Sequence, residues 1–336
     1  MKNHPCFWTF VFSITLCMSH IGLGYAEDVF KQIEYFNGKG GLYSGKALLD
    51  DSNIKIDFFR AAPNSFNIRI LTPQTAAKIG QATGSRPTNS IQRSYMSQGL
   101  NMHDFAEVSG ALAVLGAGYV SSFDPVTPLG FVQSDGSQVS YYSQSWLVDA
   151  LLCTQNGKPV LGPSNELYKN RASYSDCLQV GPMLVEDGKP VFYMRDGLTT
   201  DQAKLLQETH PQSFVCIDDD ANFIMGVTAP VKLEALTQFL TIPLTKAGMG
   251  CKIAARLAAG LTATLVTHGG VIGADKYLLP AAIAVFPLIK SGTASSQQKC
   301  MIVSGVGSCA FSGTSPLGSS CVCEDTSGNQ YQGVVQ

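Results

Sequence analysis

Apolar and polar positions alternate with a period of two over much of this chain, which predicts strands. Ile54, Ile56 and Phe58 alternate with Lys55 and Asp57. After the Pro63-Asn64 turn, Phe66, Ile68 and Ile70 alternate with Asn67 and Arg69, so the two runs read as a hairpin with one buried face. Three further hairpins are predicted at Asp135-Gly136, Asn156-Gly157 and Asp187-Gly188, because a two-residue hairpin turn needs residues that tolerate positive φ. The region from Ile54 to about Val227 therefore reads mostly as strands. A helical period appears later, where Leu233, Leu236 and Leu240 follow Pro230 and predict a helix over Pro230 to Leu240. An Ala-rich stretch from about Cys251 to Leu261 predicts a second helix, and Ala281 to Leu288 a last apolar strand. Thr72 to Met102, rich in Ser, Gln and Thr, reads as a long surface loop. The fold class is α+β: a mixed, hairpin-rich sheet core with a few helices, plus a small disulfide-stapled C-terminal tail.

The N-terminus reads as an address. Lys2 supplies a positive start, Cys6 to Met18 is an uncharged apolar run too short to span a bilayer, and Gly24-Tyr25-Ala26 presents small residues where a signal peptidase reads. Cleavage between Ala26 and Glu27 and export to a periplasm or the medium are expected. Leu16 stands where a lipoprotein site before Cys17 needs a small residue. Ile253 to Ala274, interrupted by Arg256, His268 and a Gly pair, reads as protein core, so no membrane-spanning segment is expected.

Of 336 residues, 45% are apolar and 14% charged, enough to bury a large core and too few charges for a disordered chain. Lys+Arg 23 against Asp+Glu 25 gives a net charge of -2, which favours neither nucleic acid nor an anionic membrane surface as a partner.

Of the 10 cysteines, Cys6 and Cys17 leave with the signal peptide, and the even remainder suits an oxidising compartment. Cys300, Cys309, Cys321 and Cys323 crowd the C-terminal end without a C-x-x-C or His pair, which reads as a disulfide-stapled module rather than a zinc site. Their pairing stays open. Cys153, Cys177, Cys216 and Cys251 suit buried thiols or bridges equally.

Generic chemical motifs fail. Gly116-Ala117-Gly118 begins like a dinucleotide loop but has Ser121 at its third glycine position. Asp218, Asp220 and Asn222 begin like a calcium loop, but Phe223 and Ala229 occupy its turn-glycine and bidentate-glutamate positions, leaving a solvated hairpin turn. There is no Gly-x-Ser-x-Gly elbow, His-Glu-x-x-His helix or P-loop, and His103, His210 and His268 are scattered. No cofactor and no metal are expected.

Several segments, in order, resemble the phosphodiester glycosidase family, which includes the enzyme removing N-acetylglucosamine from lysosomal mannose-phosphate tags. Gly181-Pro182-Met183-Leu184-Val185-Glu186-Asp187-Gly188-Lys189-Pro190 resembles the family's GP-x-L-x-x-DGK-P hairpin. Ala117-Gly118-Tyr119, Pro128-Leu129-Gly130 and Asp135-Gly136 resemble its NGGYF, PLG and DG series. His210-Pro211-Gln212-Ser213, Leu233 to Leu236 and Gly250-Cys251 through Gly260 follow its PRT, helix and NLDGG series. The resemblance runs from about Ile54 to Pro287.

Aligned this way, the family's reactive positions fall on other residues. The Asn of NGGYF falls on Gly116, the Arg of PRT on Gln212, the Asn and Asp of NLDGG on Arg256 and Ala258, and Thr262 sits where Ser is usual. Glycosidic or phosphodiester cleavage needs carboxylates for proton transfer or attack, and cations or amides to hold phosphate and sugar. The resemblance thus implies a retained scaffold, with Gly118, Gly130, Gly181, Pro182 and Gly260 shaping its loops, and lost reactive groups. Arg256, Gln212, Ser213 and Thr262 are the ligand-binding candidates it leaves. Asp124, Asp135, Asp187 and Asp218 to Asp220 are the acids available to replace the lost one, although each also suits a turn. The implied organisation is a signal peptide over 1–26, a glycosidase-like domain over 27–290, a linker over 291–299 and a cysteine-rich tail over 300–336. The implied protein binds a glycan, a sugar phosphate or a protein without catalysis. An active hydrolase with rearranged residues and a structural envelope or secreted interaction protein are the alternatives.

Overall fold

The computed structural model describes residues 30–37, 42–49, 54–83, 99–191, 199–243, 248–267, 270–288, 299–302, 308–310, 320–324 and 330–335. The expected signal peptide over 1–26 and most of the expected linker over 291–299 lie outside the described residues.

The chain builds an α+β domain from three principal sheets. The large sheet runs in the order Phe30–Asn37, Leu42–Leu49, Ile54–Ala61, Phe223–Thr228, Gln212–Asp218, Cys251–Ala259, Met183–Glu186, Lys189–Pro190. A second orders Lys158–Pro163, Ala150–Gln155, Asp176–Val180, Val132–Ser134, Ser137–Ser140. A third orders Gly270–Ile272, Leu265–Thr267, Ala113–Gly116, Ala282–Pro287, Phe66–Leu71. All three feed one core, in which Phe59, Met225 and Leu257 meet Leu152, Leu178, Ile68 and Leu115. The outer face of the large sheet is covered by the helix Leu233–Thr241, through Leu233, Leu236, Phe239 and Leu240 against Phe214 and Ile224. The third sheet is covered by the helices Pro73–Thr83 and Met102–Ser109. None of the described helices is long and apolar enough to cross a membrane.

The predicted hairpin turns form. Asp135, Asn156 and Asp187 hold φ of 53°, 52° and 48°, and the glycines that follow hold 75°, 73° and 73°. The four internal cysteines, for which thiols and bridges stood equal, form two bridges: Cys153 to Cys177 within the second sheet and Cys216 to Cys251 within the large sheet. In the tail, four short strands form their own sheet and Cys300 stands opposite Cys309. Cys321 is buried and disulfide-bonded, whereas the side chains of Cys300, Cys309 and Cys323 lie outside the described residues.

Four expectations are corrected. Ile54–Ala61 and Phe66–Leu71 do not pair: the first joins the large sheet and the second the third sheet, so the Pro63-Asn64 turn is a corner between layers. Thr72 to Met102 is not all loop. Pro73 opens a helix to Thr83, because the Thr72 hydroxyl accepts the Thr75 N–H at 3.3 Å and Pro suits a first helical position. The third is the helix predicted over Pro230 to Leu240, which begins only at Leu233, since Val231–Lys232 pairs with Thr209–His210.

The fourth bears on the site. Cys251–Ala259 is a strand, not a helix, and only Gly260–Thr262 is a 3₁₀ turn. It is hydrogen-bonded between Gln212–Asp218 and Met183–Glu186. A strand buried on both faces carries a continuous apolar run that periodicity cannot tell from a helix. Ala's helix preference, at most about 0.7 kcal/mol per residue over most others, is outweighed by burial between two neighbours.

Candidate functional site

Arg256 sits in that central strand, opposite Phe214. The next pair along is Ser213 with Ala258, so Leu257 is an extra residue, a bulge of the kind that re-aims neighbouring side chains. The Arg256 backbone is bonded twice to the preceding hairpin: its N–H donates to the Pro182 carbonyl at 3.1 Å and its carbonyl accepts the Gly181 N–H at 2.8 Å. Gly181 holds φ of 149°, and a Cβ there would stand 2.8 Å from both the Leu147 carbonyl oxygen and the Asp149 nitrogen. Only glycine lets these segments meet so closely.

Two more groups converge on this turn. The Tyr119 hydroxyl donates to the Gly181 carbonyl at 2.8 Å, and an Asp149 carboxylate oxygen accepts the Met183 N–H at 2.7 Å. Burial pushes the Tyr119 phenol up to about 12; the nearby Arg256 charge opposes this shift and the Asp149 charge reinforces it. The Arg256 guanidinium carbon lies 5.9 Å from the centre of the Tyr119 ring.

Arg256 is only 2% exposed, yet its Nε and Nη1 have no hydrogen-bond partner. No carboxylate among the described residues forms an ion pair with it. A buried charge without a partner is costly, and such groups are normally paired or bonded to a ligand. The guanidinium is a planar fork suited to phosphate or carboxylate.

The other ligand candidates gather at the far end of the same strand pair. Gln212 stands opposite Ala259 and is likewise buried; its Nε2 donates to the Val231 carbonyl at 3.4 Å, while its Oε1 has no partner. Ser213 and Thr262 donate their hydroxyls to the carbonyls of Ala258 and Ala259, at 3.4 and 3.2 Å. Gly260 turns with φ of 67° and donates to the Pro211 carbonyl at 2.8 Å. Gly118 and Gly130 hold φ of 82° and 105° in the loops around Tyr119–Phe123 and Val126–Leu129. At Gly116 a Cβ would lie 2.7 Å from the Thr262 carbonyl, so no larger side chain fits. Of the candidate acids, Asp135 and Asp187 occupy hairpin turns, and Asp219 and Asp220 lie exposed on the hairpin turn expected there, while Asp218 at its base is buried against Arg60 and Asn222.

Sequence reasoning missed Asp149 and Gln179. The Gln179 side chain accepts the N–H groups of Phe131 and Ser143, both at 2.9 Å, and donates to the carbonyls of Ser143 and Val148 at 2.6 and 2.7 Å. It thereby clamps the segment that delivers Asp149. The signal for Asp149 was faint: one carboxylate inside the apolar run from Trp146 to Cys153.

The sequence profile of the phosphodiester glycosidase family matches residues 109–278, which contain Tyr119, Asp149, Gly181 and Arg256. The chain belongs to the phosphodiester glycosidase family. The match is narrower than the span from Ile54 to Pro287 over which the resemblance was read. The fold agrees with two solved structures. The catalytic domain of zebrafish N-acetylglucosamine-1-phosphodiester alpha-N-acetylglucosaminidase, auto-inhibited by its pro-peptide, is 13% identical with a TM-score of 0.53, the alignment covering 78% of this chain and 92% of that one. A hypothetical protein from Synechocystis is 13% identical with a TM-score of 0.50, over 76% of this chain. This chain spans 64% of that protein's length. No curated protein matches the chain in sequence.

Proposed function

We propose that this family member is an exported, catalytically degenerate phosphodiester glycosidase that binds a glycan carrying phosphate or a similar anion. The observation that carries the reading is the buried Arg256 guanidinium with two N–H-bearing nitrogens unbonded. Family membership supplies the ligand class, since the zebrafish relative is named for an N-acetylglucosamine-1-phosphodiester. Gln212, with its unbonded Oε1, is the amide that would meet the sugar, and Ser213 and Thr262 keep hydroxyl lone pairs for it. Of the two leucines beside Arg256, Leu257 fills the core and Leu261 is 53% exposed, so they do not decide between a binding and a purely structural protein. The buried disulfides suit an oxidising compartment and support export. In this reading residues 27–290 form the binding domain and 300–336 a separate stapled tail.

Degeneracy rests on Ala258, buried where the family's Asp aligns, and on Gln212 where its Arg aligns. Losing a principal catalytic group commonly costs on the order of a thousandfold or more in rate. Purified protein incubated with an N-acetylglucosamine phosphodiester should release no measurable sugar. The second reading, a hydrolase with rearranged residues, is favoured by the carboxylate of Asp149 in the Arg256 cluster. Turnover that disappears in Asp149→Asn would establish it and end the degenerate reading.

A further inference from the structure

Arg256 is 2% exposed and its Nε and Nη1 are buried, so no anion reaches them until something that covers them moves. Most of the surroundings are tied down. The Arg256 strand is hydrogen-bonded to Gln212–Asp218 on one side and to Met183–Glu186 on the other, and the Gly181-Pro182 turn is bonded to the Arg256 backbone. The exception is Tyr119, whose ring lies 5.9 Å from the guanidinium carbon and which opens a separate two-stranded hairpin, Tyr119–Phe123 with Val126–Leu129.

This hairpin is braced internally. The Ser121 hydroxyl donates to the Thr127 carbonyl at 3.1 Å, Ser122 to the Asp124 carbonyl at 3.1 Å and Thr127 to the Pro125 carbonyl at 3.0 Å. Among the described residues its strands pair only with each other, and no backbone hydrogen bond joins 119–129 to any other segment. The chain on either side is fixed. The Gly116 N–H donates to the Thr264 carbonyl at 2.8 Å, and Phe131 exchanges bonds with Gln179, donating to its Oε1 at 2.9 Å and accepting its backbone N–H at 2.8 Å. Between these anchors and the hairpin stand Gly118 and Gly130, at φ of 82° and 105°, so the residue type with the widest backbone freedom sits at both ends of the unattached segment.

Two contacts latch the hairpin down. At its base the Tyr119 hydroxyl donates to the Gly181 carbonyl at 2.8 Å, and at its tip the Phe123 ring, 54% exposed, meets the Tyr277 ring at 5.8 Å between centroids. Val120 leans on the apolar cluster under the helix Met102–Ser109 and Val126 is buried, but such contacts are non-directional and part without orphaning a polar group. Among the described residues, opening therefore breaks one hydrogen bond between the hairpin and the rest of the chain, that of Tyr119.

We infer that the hairpin Tyr119–Leu129 is a flap that swings on Gly118 and Gly130 to admit an anion to Arg256, with Tyr119 and Phe123 as its latches. Its purpose rests on the anion-site reading above; its motion is measured without a ligand.

The test is the rate at which phenylglyoxal, an arginine-specific dicarbonyl, modifies Arg256 in the folded protein, followed by peptide mass mapping. Arg60, in the same large sheet with its Nε buried, reports global opening. Modification of a covered group follows the population of the open state, so Phe123→Ser and Tyr119→Phe should each speed it at Arg256 at least threefold and leave Arg60 unchanged. Millimolar inorganic phosphate should slow it at Arg256 at least fivefold. An Arg256 rate that neither variant changes, or that rises only in step with Arg60, would overturn the flap, and phosphate protection in that case would leave the anion site standing. Latch-sensitive modification that phosphate does not slow would overturn the anion site and leave the flap's motion in place.

Discussion

The carbonyl oxygen of Arg256 accepts the backbone N–H of Gly181 at 2.8 Å, and this bond couples the buried cation to the turn on which Tyr119 and Asp149 converge. Gly181→Ala places a methyl group 2.8 Å from two backbone atoms at a φ that side-chain-bearing residues rarely adopt. The variant should lose about 2–4 kcal/mol of stability in urea unfolding. A loss within measurement error would show that the turn is slack.

Arg256 is expected to weaken the unliganded fold rather than support it. Arg256→Met keeps an apolar stem of similar length and removes a buried charge that has no ion pair among the described residues, so its unfolding free energy should stay level or rise, by up to about 1–2 kcal/mol. A drop of about 3–5 kcal/mol would instead reveal a structural ion pair.

The Tyr119 phenol gives a test in alkaline solution. Its ordinary value is 10.0 and burial raises it to about 12 in the folded state. A raised folded value means that the contribution is complete below pH about 10 and is lost as pH climbs from 10 through 12. Between pH 9 and 11.5 the wild type should lose on the order of 2 kcal/mol more than Tyr119→Phe. Parallel losses in the two proteins would place that phenol in water.

Gln179 should rank among the most sensitive polar positions. Gln179→Leu leaves the N–H groups of Phe131 and Ser143 and the carbonyls of Ser143 and Val148 without their partner. Thermal unfolding should show a cost of about 2–4 kcal/mol, from buried groups that each lose about 1–3 kcal/mol when orphaned and partly re-solvate. An unchanged midpoint would mean that water replaces the amide.

The parts of this fold that are written locally were legible. Asp-Gly and Asn-Gly pairs announce their turns because the requirement for positive φ lies within two residues. Thr72-Pro73 also announced a helix start, through its cap, but was submerged in a polar composition. What escaped was non-local. Ile54–Ala61 and Phe66–Leu71 look like hairpin partners until Phe223–Thr228 and Ala282–Pro287 claim them. Ala-rich Cys251–Ala259 becomes a strand only because other strands flank it on both sides. The candidate site shows the same division. Gly181 and Pro182 stood in a recognisable motif and Arg256 stood out as a charge in an apolar run, whereas Asp149 and Gln179 gain their roles from residues about 30 to 50 positions away, such as Met183 and Phe131.

Isothermal titration of N-acetylglucosamine 1-phosphate into the wild type and Arg256→Met tests the central claim, that a buried guanidinium with two unbonded nitrogens is kept to hold an anion. The wild type should bind one equivalent, with no sugar released, and Arg256→Met should bind at least thirtyfold more weakly, about 2 kcal/mol. Equal affinities in the two proteins would contradict the claim.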